Sequence, residues 1–428
     1  MTRAFRIFAL KRVGKLLQRI TLAQYATRGE KPSPKNKMQD QIDIHMLGMI
    51  VTGRLQELDL DSYSVQVWGQ LIAKAHSEGV APLVYWTLSK SGKFSSIPEV
   101  AQNTLRAMYF ATWMHNQKIL LELEILARKF NQADISTVVL KGACFVLKIY
   151  PDIGLRPMGD LDLLVPKEKL AEAVQIAKTL GYMDEVPDAS PGLRDLLNHE
   201  VCLRKTGEHS ITLEIHHSLV ADKSFTFSVP VDWFWSQTEL LGSDSRFENL
   251  RMLTPTAQAL YAASHAMLQH GGKNAPLRWF YDIDLLLRSY AGRMDWDLLL
   301  SQAKIFEWSS ALESAFIQAG TYFNTPIPEQ VRVSLSENSD KHKKLVALLQ
   351  NKSATHILEE YQKFLSLNGY GRIRLVLALI APTPAYMRWR YQIKDSWRLP
   401  IYYLIRWGGI LKDLFFTIIH LLKRPLKS

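Results

Sequence analysis

One segment decides the fold of this chain: Val138-Val-Leu-Lys-Gly-Ala-Cys-Phe-Val-Leu-Lys-Ile-Tyr-Pro-Asp-Ile-Gly-Leu-Arg-Pro-Met-Gly-Asp-Leu-Asp-Leu-Leu-Val165. Near its end, Asp160 and Asp162 stand two residues apart in an apolar run, and residues two apart in a β-strand point to the same face. Two ionised carboxylates on one face raise each other's pKa unless a cation neutralises them. Because Mg²⁺ is usually held by one or two carboxylates together with substrate phosphates, the segment predicts a metal site for phosphate chemistry.

The residues before the two acids include groups that are typical of phosphate-binding sites. Lys141 and Gly142 follow a β-branched run and precede a predicted helix from Ala143 to Ile149. A glycine at this point lets backbone N–H groups approach an anion at the helix N-terminus. We expect Lys141 to bind the triphosphate as a point charge and Arg156 to offer a bidentate fork. A Lys-Gly pair alone is more often an ordinary turn, so the prediction depends on the order of all these residues.

A third carboxylate is expected from another strand. Two further strands are predicted, Glu200 to Lys205 and Ser210 to His216, joined as a hairpin by residues 206–209. The second strand carries Glu214, which completes a set of three catalytic carboxylates and metal ligands if it shares the face of the two aspartates. His216, two residues further on, would share that face and assist a base.

Length and pattern predict an α+β fold, with a small mixed β-sheet core flanked by N-terminal and C-terminal helical regions. The 428 residues exceed what one hydrophobic core serves, so two or three subdomains are expected. The predicted strands all lie between residues 131 and 253, whereas the other segments have helical periodicity. The predicted domains are a basic amphipathic segment (1–35), a helical cap (36–130), the α+β core (131–253), a helical domain (254–380) and a basic apolar segment (381–428).

The net charge of +11 is concentrated at the two ends. Residues 1–30 carry seven basic residues and one acid, residues 371–428 carry eleven and two, and the middle has a net charge of −4. Nucleic acid stays open as a partner. A basic groove that binds it should lie beside the catalytic residues, however, whereas here the positive charge lies in apolar tails. A membrane surface is the competing partner.

The tails have the pattern of interfacial helices. Phe5, Val13 and Leu16 recur at helical spacing while Lys11 and Lys15 fall on another face, which predicts a basic amphipathic helix. The C-terminal run from 401 to 422 is strongly apolar but has charged residues on one stripe, so a docked or interfacial helix fits better than a membrane span. The three interpretations are packing on the protein's own body, peripheral contact with the inner membrane, and a crossing.

The two cysteines, Cys144 and Cys202, are far apart and show no C-x-x-C spacing, so neither a disulfide framework nor a zinc site is supported. They predict a reducing, cytoplasmic setting, and Cys144 is expected to be a small buried residue.

Four polar residues of the helical region are assigned to the structure rather than to the chemistry. His265 and His270 are five residues apart, so they are not expected to share a helix face as paired metal ligands would. Asp284 is expected to face solvent, and Asp282 to bond nearby backbone or Arg278.

The quoted motifs resemble those of the uncharacterised bacterial nucleotidyltransferase family of the DNA polymerase beta-like nucleotidyltransferase superfamily. The likeness covers most of residues 40–410, and the segments that carry it are Leu140–Gly142, Arg156–Val165, Leu213–His216, Leu277–Asp282 and Pro384–Arg388.

This resemblance implies a mixed sheet with Asp160 and Asp162 as metal ligands, Glu214 as the third carboxylate, and a nucleotide loop around Gly142. It also implies Mg²⁺, with Mn²⁺ as the alternative ion, and an NTP such as ATP whose NMP moves to an unknown acceptor. The wider superfamily has a Gly-Ser phosphate loop closer to the acids, whereas here the loop is Lys-Gly-Ala and seventeen residues separate Gly142 from Asp160.

Two alternatives stay open. In a glycosyltransferase, Asp160-x-Asp162 would hold a metal on the diphosphate of a nucleotide sugar, although such enzymes usually begin with a nucleotide-binding αβ unit and this chain begins with helices. In a non-catalytic nucleotide-binding or membrane-associated scaffold, the basic tails would carry the function.

Overall fold

The computed structural model describes residues 43–191, 199–207, 210–219, 229–242, 244–247, 249–270, 272, 275–338 and 369–422. The predicted basic segment 1–35 therefore lies outside the described residues. The chain divides into two compact units. Of the described residues, the helical unit contains 43–122, 141–158 and 255–338, and the sheet unit contains 123–140, 159–254 and 369–422.

The sheet unit is built on a mixed sheet of seven strands among the residues that are described, in the order β3-β4-β5-β2-β1-β7-β6. The strands are β1 (Thr137–Val139), β2 (Asp160–Leu164), β3 (Met183–Asp184), β4 (Glu200–Lys205), β5 (Ile211–His216), β6 (Thr238–Leu240) and β7 (Leu250–Leu253). The predicted α+β class is confirmed, as are both predicted strands of the hairpin region.

The centre of the sheet determines where the acids lie. β1 runs antiparallel to β2 and parallel to β7, and β2 runs parallel to β5. The three residues of β1 are buried, as expected for a β-branched run that is covered on both faces. β4 pairs antiparallel with β5, along the edge of β5 that faces away from β2. The acidic strand β2 therefore lies between two strands whose side chains alternate in step with its own.

The helices account for most of the remaining described residues. In chain order they are α1 (Ile44–Val51), α2 (Val65–Ser77), α3 (Ala81–Lys90), α4 (Glu99–Gln132), α5 (Lys141–Lys148), α6 (Leu170–Thr179), α7 (Val231–Ser236), α8 (Pro255–Ser264), α9 (Leu277–Ser289), α10 (Trp296–Ile305), α11 (Ser309–Phe323), α12 (Glu329–Asn338), α13 (Gly369–Ile380), α14 (Pro384–Tyr391) and α15 (Leu399–Leu422).

Local signals explain several helix boundaries. The hydroxyl of Ser64 accepts a hydrogen bond from the Val67 N–H and caps α2. Gly181 lies just after α6 with a φ of 91°, a conformation that favours glycine. Within the helical unit, α1 crosses α11 at Gly48, where a Cβ would lie 2.5 Å from the Tyr322 carbonyl oxygen. This close approach requires glycine.

No helix among the described residues is long and apolar enough to span a membrane.

Candidate active site

The strand register brings two of the predicted carboxylates together. In the parallel pair β2–β5, Asp162 lies directly opposite Glu214, and Asp160 lies opposite Thr212. Because residues two apart share a face, Asp160 and Asp162 point to the same side of the sheet as Glu214. The intervening Leu161 and Leu163 are fully buried, which fixes the opposite face as core. The expectation that the three acids share one face is confirmed.

His216 lies in the middle of the carboxylates. Its Nε2 is 3.0 Å from Asp162 Oδ1 and 3.6 Å from Glu214 Oε2. Asp162, Glu214 and His216 each offer one ligand atom, and these atoms all lie within 4.8 Å of one another. The side chains of Asp162 and His216 are 1% exposed and that of Glu214 is 19% exposed. The cluster is thus buried on the sheet side and reached from solvent through Glu214.

The electrostatics of Glu214 follow from this position. Burial raises the pKa of Glu214 to about 7, the hydrogen bond with His216 opposes the rise, and the negative charge of Asp162 adds to it. Glu214 is therefore costly to ionise, and it lies beside the buried carboxylate of Asp162. A divalent cation would remove this cost. The donor set of two facing carboxylates, with Asp160 on the same face, fits a hard ion such as Mg²⁺ or Mn²⁺.

The next strand, β4, extends the cluster. Glu200 lies opposite His216 and Cys202 lies opposite Glu214. Glu200 Oε2 is 3.2 Å from His216 Nδ1 and 3.2 Å from His199 Nε2. Neither His199 nor Glu200 was predicted as a site residue from the sequence. Their signal was the predicted hairpin itself, because pairing its two strands places Glu200 beside His216.

The cysteines take no part in this chemistry. Cys144 is buried, as expected, and the Cys202 thiol donates a hydrogen bond of 2.8 Å to Glu185 Oε2. Burial and the neighbouring carboxylate of Glu185 raise the pKa of Cys202 well above its usual range. Cys202 therefore stays a neutral thiol, which is a poor nucleophile.

The predicted phosphate-binding residues Lys141, Gly142 and Arg156 belong to the helical unit. The helix there begins at Lys141, two residues earlier than predicted, and Lys141 has a φ of 43°, a strained conformation for a residue with a side chain. Gly142 is buried, and a Cβ on it would lie 2.5 Å from Arg156 Nη1. The glycine is thus required by the guanidinium that packs on it. Whether Lys141 and Gly142 also contact a nucleotide stays a prediction.

Arg156 has a structural partner that the sequence did not indicate. Its side chain is buried and forms a bidentate pair with Asp282, with Nη2 2.7 Å from Oδ2 and Nε 2.9 Å from Oδ1. Asp282 Oδ1 also accepts a hydrogen bond from the Tyr150 hydroxyl at 2.8 Å. The expectation that Asp282 bonds backbone or Arg278 was wrong, because residues far apart in sequence bring a buried cation to it. A phosphate contact for Arg156 stays a prediction.

The other interpretations for α9 and the segment before it also need correction. Asp284 was expected to face solvent, but it is 1% exposed and accepts hydrogen bonds from Arg288 and Thr325. After α8 the chain makes a π-helical turn over His265–Gln269, with the His270 N–H donating to the His265 carbonyl. Because a π turn places residues five apart on one face, the rings of His265 and His270 are 4.6 Å apart, contrary to expectation.

A model of the family described as uncharacterised nucleotidyltransferase matches residues 64–324, which include all three acids of the site. The chain belongs to this family. No curated protein matches the chain. Membership supports a general nucleotidyltransferase role for the chain and implies an NTP as substrate. The bacterial origin and the wider superfamily stay predictions from the motifs.

Proposed function

We propose that the chain is a metal-dependent nucleotidyltransferase, which transfers NMP from an NTP to an acceptor and releases pyrophosphate. The observation that carries the proposal is the register of β2 and β5, which sets Asp162 opposite Glu214 on the face that also bears Asp160. Two carboxylates that face each other and are costly to ionise form a suitable site for a catalytic cation, because the cation offsets their negative charge. The family match supports the reaction class.

In this proposal Asp160, Asp162 and Glu214 hold the ion, Mg²⁺ or Mn²⁺. Bound there, the ion would offset the negative charge of the triphosphate and lower the pKa of an acceptor hydroxyl. The acceptor oxygen forms a bond to the α-phosphorus, and the bond from that phosphorus to pyrophosphate breaks. Lys141, Gly142 and the neighbouring loop are the proposed nucleotide contacts.

His216 has a positioning role in the proposed reaction. Its Nε2 lies 3.0 Å from Asp162 Oδ1, so the N–H there would hold the carboxylate in one rotamer. Since a carboxylate that binds a metal is held in turn by hydrogen bonds, the imidazole favours a preorganised Asp162 over a mobile one.

The test is metal-dependent consumption of each NTP by the full chain in the presence of cell extract, with mass analysis of any product that gains a nucleotide. Asp162→Asn is expected to lower the turnover at least ~100-fold, because charge stabilisation of that order is lost, while Glu168→Gln, an exposed acid of the same unit, leaves it unchanged. Equal turnover in wild type and Asp162→Asn would refute the proposal.

Two arms of the same assay test the alternatives. A UDP-sugar that loses its sugar, with every NTP intact, would indicate a glycosyltransferase. NTP that binds in equilibrium dialysis and is never consumed would indicate a non-catalytic nucleotide-binding protein.

We also propose that the C-terminal helices contact an anionic membrane surface. Trp407 Nε1 donates a hydrogen bond of 2.6 Å to the Ile380 carbonyl, which joins α15 to α13. Exposed apolar side chains recur at helical spacing on both helices and form what we call the C-terminal apolar surface: Tyr370, Ile373, Leu377, Ile401, Leu404 and Ile405. The basic residues of 371–428 carry the charge that complements anionic lipid.

Vesicle co-sedimentation tests this contact. The full chain is expected to sediment with phosphatidylcholine vesicles that contain phosphatidylglycerol and much less with phosphatidylcholine alone. Leu404→Glu should abolish the difference, while Ile305→Glu, which changes a similarly exposed residue of the helical unit (70% against 63% for Leu404), should not. Failure to sediment, or sedimentation that Leu404→Glu does not alter, would refute the membrane proposal, and a smaller oligomer for Leu404→Glu would assign the surface to a second copy.

A further inference from the structure

A second group of metal-ligating side chains lies on the sheet next to the candidate active site. His199 Nε2 is 3.2 Å from Glu200 Oε2, and the same oxygen is 3.2 Å from His216 Nδ1. One ligand atom from each of the three residues lies within 4.8 Å of the others. All three residues belong to the sheet unit, and two of them, His199 and Glu200, have no role in the proposed nucleotidyl transfer.

The two nitrogen–oxygen spacings in this group match the edges of a tetrahedral metal site. When nitrogen and oxygen ligands lie about 2.0–2.1 Å from an ion in tetrahedral geometry, neighbouring ligand atoms are about 3.3 Å apart. Both nitrogen–oxygen separations here have nearly that value. A charge-assisted hydrogen bond between imidazolium and carboxylate would be shorter, at about 2.7–2.9 Å. Glu200 Oε2 is equally far, 3.2 Å, from His199 Nε2 and from His216 Nδ1, as two tetrahedron edges that meet at one corner would be.

His216 is oriented as a metal-bound histidine would be. While Nδ1 faces Glu200, the other ring nitrogen, Nε2, lies 3.0 Å from Asp162 Oδ1. Histidines that bind a metal through one nitrogen almost always donate the other N–H to a carboxylate or a carbonyl. The proton on Nε2 leaves the lone pair of Nδ1 for the ion. The ring itself is fully buried, so its orientation is fixed by packing.

The other two residues are held by the backbone. The His199 carbonyl accepts hydrogen bonds from the N–H groups of His217 at 2.9 Å and Ser218 at 3.3 Å. Glu200 is paired with His216 in the antiparallel β4–β5 ladder. The side chains of His199 and Glu200 are 21% and 25% exposed, which leaves a position open to water.

We propose that His199, Glu200 and His216 bind a divalent ion of the zinc class, with water as the fourth ligand. Two imidazoles and one carboxylate suit zinc better than magnesium. The ion would fix His216 in the tautomer that donates a hydrogen bond to Asp162. This hydrogen bond would then hold the Asp162 carboxylate in one position. The spacing of the cysteines gave no support for a zinc site, and in this site the ligands are two histidines and one glutamate. The proposal stands whether or not the chain transfers nucleotides.

The experiment measures zinc bound to the full chain. Protein stripped with chelator is dialysed against a limited excess of Zn²⁺, and the bound metal is counted by elemental analysis. In a parallel sample Co²⁺ replaces Zn²⁺, because tetrahedral cobalt gives intense visible absorption. About one ion per chain is expected for wild type. His199→Gln and Glu200→Gln should each weaken binding at least tenfold, judged by competition with a coloured chelator.

The controls separate this site from the carboxylate cluster and from adventitious binding. His76→Gln removes an exposed histidine of the helical unit and should keep the ion. Glu214→Gln alters the proposed magnesium site and should also keep it. Wild type without zinc, or zinc that is retained in both His199→Gln and Glu200→Gln, would overturn the proposal. Loss of zinc in Glu214→Gln would place the ion among the acids and would also overturn it. NTP turnover is scored separately, so its absence leaves the zinc result intact.

Discussion

Glu214→Gln is expected to stabilise the metal-free protein and to abolish the stabilisation that Mg²⁺ or Mn²⁺ gives to wild type. In the folded protein, burial raises the pKa of Glu214 from the ordinary 4.5 to about 7. Each tenfold change in proton affinity is worth about 1.4 kcal/mol, so ionised Glu214 costs the folded state about 3 kcal/mol above pH 7. Glutamine keeps the shape of the side chain and removes the charge. The free energy of unfolding should therefore rise by up to about 3 kcal/mol, reduced by the cost of a weaker hydrogen bond with His216.

The sign of the pH dependence follows from linkage. A carboxyl whose pKa is raised on folding binds more protons in the folded state, so its contribution to stability is complete below pH 4.5 and is lost as the pH rises through about 7. Wild type in chelator should therefore lose stability across this window relative to Glu214→Gln. Saturating Mg²⁺ or Mn²⁺ should reverse the loss in wild type, because an ion that binds only the folded state stabilises it.

The assay is thermal unfolding at pH 5 and pH 8, with chelator and with each ion. A gain of this size corresponds to a shift of several degrees in the unfolding midpoint at pH 8. Glu168→Gln controls for the loss of one negative charge on the surface of the same unit. A Glu214→Gln protein that is less stable than wild type in chelator at pH 8, or that gains as much stability from Mg²⁺ or Mn²⁺ as wild type does, would refute the reasoning.

Two further predictions concern the packing of the helical unit, and thermal unfolding checks both. Arg156→Met leaves Asp282 buried without its cation and should cost about 3–5 kcal/mol, while the double variant Arg156→Met with Asp282→Leu should cost less than Arg156→Met alone. Gly48→Ala forces a Cβ to within 2.5 Å of the Tyr322 carbonyl oxygen and should cost about 1–3 kcal/mol, whereas Gly320→Ala, where a Cβ has open space, should stabilise α11 by about 0.5–1 kcal/mol. Equal effects of the two glycine changes, or a larger loss in the double variant, would contradict these arguments.

Local sequence signals were sufficient to predict the strands and helices near the site. The β-branched run before Lys141 and the alternation through Asp160 and Asp162 each depend on a few neighbouring residues. The shared face of the acids followed in part from local information, because Glu214 has the correct parity along its own strand. Its place opposite Asp162 also depends on the pairing of β5 with β2, which are distant in sequence. Predictions of this kind succeed since the period of a strand is two and an error of one residue would bury a carboxylate in the core.

Partners that come from distant segments could not be predicted in this way. Asp282 and Arg156 are 126 residues apart, and nothing in either neighbourhood indicates the pair. The π turn that joins His265 to His270 is a local feature, but both imidazole rings also pack on Trp279, with ring centroids 4.7 Å apart. In both cases tertiary contacts decided an arrangement that helical spacing alone assigns differently.

The position of His216 shows why the site is more than three carboxylates. It lies opposite Glu200 on one side, and its ring reaches Asp162 on the other. A slip of one residue in the β4–β5 ladder would keep Glu214 beside Asp162, because β2 sets that register, but would turn Glu200 away from His216. The β2–β5 ladder therefore places Asp162 opposite Glu214, and the β4–β5 ladder places Glu200 opposite His216. A change confined to β4, such as Glu200→Gln, should therefore alter zinc binding and leave Asp162 and Glu214 facing each other.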